Sequence, residues 1–173
     1  MSVLAFLSPS RCEAETLSSP LARALAGVDP ALVEDLFAGG KVEIRGDLDL
    51  VDTVDGEELV RLSTRRGFLL TGDPLAAVER LRARGVLAYD VTGAYAGLAL
   101  SGEQLMRRLT DLDLDRLPAA GPLSRVGAIV LRDEGDRFRV YVVQELGHDV
   151  AEAVLDVARG LTPQESDPDR ERA

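Results

Sequence analysis

The residues of this 173-residue chain that could do acid–base, nucleophilic or metal chemistry are few and scattered. His148 is the only histidine, and beside Asp149 it is a candidate general base. It has no second histidine and no nearby cysteine, so the ligand set of a zinc site is missing. It is read as a solvent-facing residue at the start of the last helix. Cys12 is the single cysteine, which excludes an intramolecular disulfide and a thiolate metal site. Only Arg11 stands near enough in sequence to lower its pKa, too little for the electropositive site a reactive thiolate needs. Ser101 lies in Leu-Ser-Gly, not in a nucleophile elbow, and is expected to cap a helix. Gly93, Gly97 and Gly102 lack the spacing of a phosphate-cradling loop and are expected in turns and close strand packing.

Carboxylates are the one abundant reactive type. Asp47, Asp49 and Asp52 form one cluster; Asp111, Asp113 and Asp115 alternate in a second. Alternating aspartates ligate Ca²⁺ when a glycine turn and a distal glutamate complete the loop, and neither run has them. Both are read as solvated acidic loops. Asp90 ends an apolar strand before Val91-Thr92-Gly93. It is either a turn-former that accepts backbone N–H groups or a ligand contact, and the turn role is favoured. No catalytic, cofactor-binding or metal-binding residue is assigned.

Composition narrows the classes further. Twenty basic residues stand against thirty acidic ones, for a net charge of −10. Such a chain repels nucleic acid phosphates and anionic membrane surfaces. Lys41 is the only lysine, and arginine supplies the other positive charges. This bias runs the length of the chain and is read as genomic base composition, not site chemistry. Apolar residues make up 46% and aromatics 4%, so a folded core must be built from Leu, Val and Ala. The apolar run Val3 to Leu7 is too short for a signal sequence, and no run approaches the roughly 20 residues of a membrane span. A cytoplasmic location is the expectation.

The elements that must position these residues are legible in part. Residues 1–17 read as a flexible arm, 18–160 as one domain and 161–173 as a disordered tail. Short helices are expected over Pro20–Ala26 and Pro30–Phe37, the second capped by Asp29. Val42 and Ile44 alternate with charged neighbours as in a strand, with a turn at Asp55-Gly56. Leu59–Ser63 fits a strand or a helical turn. Gly67–Thr71 reads as a strand, followed by a helix with Asp73 as cap and Leu75, Val78 and Leu81 on one face. Gly85 closes that helix. Strands over Val86–Val91 and Tyr95–Ser101 follow, then a helix with Leu105, Met106 and Leu109 inward. Leu112–Pro122 reads as a loop. Strands Val126–Arg132 and Arg137–Val143 and a helix over Asp149–Arg159 complete a βαββαββα order from Gly67. That order predicts an α+β fold, an antiparallel-rich sheet with helices packed on it.

Several segments, in this order, carry a resemblance. Tyr89-Asp90-Val91-Thr92-Gly93, then Leu98-Ala99-Leu100-Ser101-Gly102 and Asp111-Leu112-Asp113-Leu114, resemble the folate-binding fold of the aminomethyltransferases (glycine-cleavage T-proteins). Ser19-Pro20-Leu21, Val42 to Asp47 and Gly67 to Leu70 narrow the likeness to the gamma subunits of heterotetrameric sarcosine oxidases. The resemblance covers residues 18–160. It implies a non-catalytic assembly subunit that packs against large and small flavoprotein subunits of an N-methyl amino acid oxidase. FAD, FMN, NAD and tetrahydrofolate would then belong to the partner chains. In the full aminomethyltransferases a Gly-rich segment supplies a carboxylate to the pterin; the corresponding stretch here, Leu123–Arg132, contains no aspartate. A stand-alone tetrahydrofolate-binding or aminomethyltransferase-like protein is the alternative.

Overall fold

A computed structural model describes residues 19–161; the N-terminal arm and the C-terminal tail lie outside them, apart from Leu161, which ends the last helix. Among the described residues nine strands form two antiparallel sheets. In the first, β1 (Val33–Asp35), β6 (Tyr95–Ser101), β9 (Arg137–Val143), β8 (Val126–Arg132) and β7 (Ala119–Leu123) lie side by side in that order. In the second the order is β3 (Glu58–Arg61), β4 (Arg66–Thr71), β2 (Gly40–Arg45) and β5 (Leu87–Asp90). The helices are α1 (Pro74–Ala83), α2 (Glu103–Leu109) and α3 (Gly147–Leu161). The α+β class is as expected, but the single sheet resolves into two.

Side-chain alternation sorts the core into three layers. Leu98, Leu100, Val130, Phe138, Val140 and Val142 point outward from the first sheet onto α2 and α3. Val42, Ile44, Leu69 and Ala88 point outward from the second sheet onto Ala77, Val78 and Leu81 of α1. Between the sheets lie Val60, Phe68, Ile129, Leu131 and Tyr141. The stack is therefore helix, sheet, sheet, helix. α3 presents Val150, Ala151, Val154, Leu155 and Ala158 at helical spacing, which gives it one apolar face.

Four local expectations differ. Pro30–Phe37 is not a helix. Asp29 does cap one turn, accepting from the Ala31 N–H at 2.9 Å, but Val33–Asp35 then pairs with Leu98–Leu100 of β6. The exposed backbone of β6 outcompetes a short helix, which is marginal by itself. Pro20–Ala26 forms successive hydrogen-bonded turns that bury Leu21, without a helix. Leu75 is 67% exposed, and Ala77 takes its place on the inner face of α1. The loop read over Leu112–Pro122 ends in β7, an edge strand where Pro122 is tolerated because its missing N–H faces no neighbour. From Arg66 the order is thus βαββαβββα. Leu59–Ser63 resolves in favour of the strand β3.

Candidate functional site

The inter-sheet layer holds the buried ionisable groups that face one another, and Lys41 is at its centre. Period-two alternation along β2 sends Val42 and Ile44 to α1, and Lys41, Glu43 and Arg45 to the other face. Lys41 has no exposed surface. Its ammonium donates to the carbonyls of Gly39 at 2.6 Å, Phe37 at 3.3 Å and Leu36 at 3.4 Å. The turn that aims these carbonyls is shaped by Asp35, whose Oδ1 accepts from the Phe37 N–H at 2.9 Å. Burial pulls the Lys41 pKa below its ordinary value, while the charges of Asp35 and Asp90 oppose that fall. All three ammonium protons are engaged, so Lys41 serves as a cationic staple for the Leu36–Gly39 turn and offers no lone pair for nucleophilic attack. The lysine that composition alone assigned to genomic bias is the most buried charge among the described residues.

Tyr141 stands beside it. Its ring centroid is 6.0 Å from Lys41 Nζ and 5.4 Å from the Phe68 ring. Burial pushes the phenol pKa up, against the pull of the Arg139 charge. Tyr141 fits there because Gly97 opposes it on β6: a Cβ on Gly97 would lie 2.9 Å from the Tyr141 ring. Arg139, on the same face of β9, ties the sheets together. It reaches Glu58 of β3 at 2.7 Å and Asp133 of the β8–β9 turn at 2.7 Å. Burial alone would lower the Arg139 pKa; the hydrogen bonds to Asp133 and Glu58 outweigh it and keep the guanidinium charged. A cleft of about 460 Å³ opens here, between the Leu36–Gly40 turn, Glu58, Leu70, Arg139 and Tyr141. Its charges already have partners, so the arrangement clamps two sheets and places an aromatic floor beneath an open volume.

The residues singled out in the sequence are dispersed. His148 lies in the first turn of α3, half-exposed, with Nε2 3.2 Å from Glu152 Oε1. It lines a polar surface cleft with Arg23, Asp156 and Arg159, to which Lys41 does not contribute. Asp90 takes the turn role: its Oδ1 accepts from the Thr92 N–H at 2.9 Å, and Thr92 Oγ1 accepts from the Lys41 N–H at 3.0 Å. Ser101 does not cap α2. It ends β6, and Gly102, at a φ of 112° unfavourable for other residues, takes the capping position without a side-chain bond. Asp47 and Asp113 each accept from the N–H two residues on; Asp49 pairs with Arg61, Asp52 with Arg84 and Asp115 with Arg132. Gly93 sits in a 3-10 turn. Leu123–Arg132 forms the end of β7 and the whole of β8, with its apolar side chains in two core layers. Cys12 lies outside the described residues. Among the described residues no three His, Cys, Asp or Glu side chains gather into a metal-holding group, and no helix is long and apolar enough to cross a membrane.

No protein-family model matches the sequence, and no curated protein matches it. Solved structures do. A chain of the heterotetrameric sarcosine oxidase from Corynebacterium sp. U-96 superposes with a TM-score of 0.73 at 13% identity, over 83% of this chain and 95% of that one. The fold is that of the sarcosine oxidase chain. The glycine cleavage system aminomethyltransferase T from Bartonella henselae superposes with a TM-score of 0.53 at 16% identity, over 72% of this chain and 45% of that one. The segments that carried the resemblance in the sequence fall on the turn at Ser19–Leu21, on β2, β4, β5 and β6, and on the turns around α2.

Proposed function

We propose that this chain is a non-catalytic assembly subunit of a flavin-dependent oxidase of sarcosine or a related N-methyl amino acid. The observation that carries this reading is coverage. The fold accounts for 95% of a sarcosine oxidase chain but only 45% of an aminomethyltransferase. A chain that matches one whole component, and less than half of a complete enzyme, has the size of the component. The inter-sheet layer agrees. Lys41 is consumed by backbone carbonyls, and Arg139 by Glu58 and Asp133, so neither is poised to move a proton or an electron pair. In this reading large and small flavoprotein partners carry FAD, FMN, NAD and tetrahydrofolate, and the domain over 18–160 supplies buried surface and orientation.

The test is co-expression with the large and small flavoprotein chains of a heterotetrameric sarcosine oxidase. A purified complex with flavin absorbance and oxygen uptake dependent on an N-methyl amino acid is the expected result. The alternative is a tetrahydrofolate-binding protein acting alone, and the cleft of about 460 Å³ beside Tyr141 is what favours it. Titration of the isolated chain with tetrahydrofolate separates the two. Micromolar binding without partners would replace the assembly reading.

A further inference from the structure

The two sheets cover one another unevenly. Across the inner face of the second sheet, Phe68, Glu43 and Tyr89 lie in one cross-strand row, and Arg66, Arg45 and Leu87 in the next. The first sheet covers this face over Val60, Phe68 and Leu70, and stops short of β5. Leu87 and Tyr89 are therefore left 58% and 46% exposed on a strand whose outer edge has no partner among the described residues. Opposite them Val143 of β9 is 39% exposed. Arg66 and Val143 also line a groove of about 370 Å³ that runs toward β7 and β8, past Tyr141, Ile129, Gly121 and Gly127.

The charge around this opening runs against the rest of the molecule. Arg45 and Arg66 both donate to one oxygen of Glu43, at 3.0 and 2.9 Å, so two guanidinium groups share a single carboxylate. Arg82 lies 5.6 Å above the Tyr89 ring and donates to the Ala88 carbonyl at 2.9 Å. Three arginines against Glu43 and Asp90 leave a net positive rim on a chain of net charge −10. Exposed tyrosine and leucine framed by arginine is the composition of an interface core, where aromatic residues and arginine are enriched.

We propose that this open end of the inter-sheet layer, from Arg45, Arg66 and Arg82 across Leu87 and Tyr89, is the docking surface for an acidic, apolar segment of the partner subunit. The proposal rests on the assembly reading. Carboxylates of that segment take the guanidinium donors that Glu43 leaves unused, in the paired geometry arginine favours. Its apolar side chains cover Leu87 and Tyr89. A second copy of this chain is the poorer occupant, because a two-fold axis through this patch would bring two arginine-rich rims together. Nucleic acid is disfavoured by the net charge of the whole chain.

The test uses the full chain co-expressed with the same large and small flavoprotein chains. Leu87→Asp, Tyr89→Ser and Arg45→Glu change exposed side chains and leave the three core layers intact, which thermal melts of the isolated variants verify. Each is expected to weaken association about tenfold or more. The wild-type complex is also expected to loosen as salt rises. Arg159→Glu, on the exposed face of α3, is the control and is expected to assemble normally. If the wild type assembles and the three variants assemble equally well, this surface is refuted while the assembly reading stands. If the wild type recruits no flavoprotein, both fall together.

Discussion

Replacing Lys41 by methionine keeps the length and most of the apolar stem of the side chain and removes only its donors. The carbonyl of Gly39, 2.6 Å from the ammonium, is then left buried without its donor. The Phe37 carbonyl loses a longer contact at 3.3 Å, and the Leu36 carbonyl keeps the Gly39 N–H at 3.3 Å. One well-made bond is therefore lost outright, and stranding a buried acceptor costs about 1–3 kcal/mol. Relief from burying a charge offsets part of this, so Lys41→Met is expected to destabilise by about 1–2 kcal/mol. Lys41→Ala also removes three buried methylenes at about 0.8 kcal/mol each, for a total of about 3–4 kcal/mol. Urea unfolding with an unchanged slope is the assay. The pH dependence adds an independent check. Because burial lowers the folded pKa, the unfolded chain binds the proton more tightly. Wild-type stability therefore rises as pH climbs from the folded pKa toward about 10.4, and is lost as pH falls through the folded pKa. The gap between wild type and Lys41→Met should widen as pH rises from the folded Lys41 pKa toward the unfolded one. A methionine variant as stable as the wild type, with a gap that does not vary with pH, would refute the staple. It would place Lys41 among buried charges that an apolar side chain replaces without loss.

Three further outcomes follow from the same geometry. Gly97→Ala sets a methyl group 2.9 Å from the Tyr141 ring and 3.0 Å from Leu36 Cβ, and is expected to cost about 1–3 kcal/mol; Tyr141→Leu in the same chain should recover part of it, read from a double-mutant cycle of unfolding free energies. The two-residue turn between β7 and β8 holds Ser124 at φ 46° and Arg125 at φ 74°, so Arg125→Gly is expected to raise the melting temperature through a gain of about 1 kcal/mol. Burial pushes the Glu57 carboxyl up, but hydrogen bonds from Arg80, the Val54 N–H and Thr71 outweigh it and hold its pKa below the usual range. Its contribution is present above the unfolded pKa of about 4.3 and lost as pH falls through the folded value. Glu57→Gln should therefore be less stable than wild type near neutrality, with the two converging in acid; an unchanged gap across that range would contradict the pairing.

The sequence determined the local elements wherever one signal acted alone. Asp73, Pro74 and Gly85 bounded α1, alternation defined β9, and the apolar triplet Leu105, Met106 and Leu109 set the inner face of α2. It also held an order of short segments that resembles the sarcosine oxidase family, and those segments fall on strands and turns of this fold. What it left undetermined was decided by partners distant along the chain. Val33–Asp35 became a strand because β6 offered it an edge. The hairpin of β7 and β8 turned on Ser124-Arg125, a pair with none of the asparagine or glycine that marks such a turn. Nothing in the sequence marks Lys41 as buried, because period-two alternation says which residues share a face, but not which face another sheet will cover. Only the packing of the two sheets made that face an interior, and only the Leu36–Gly39 turn, folded back over it, gave the buried ammonium its carbonyls.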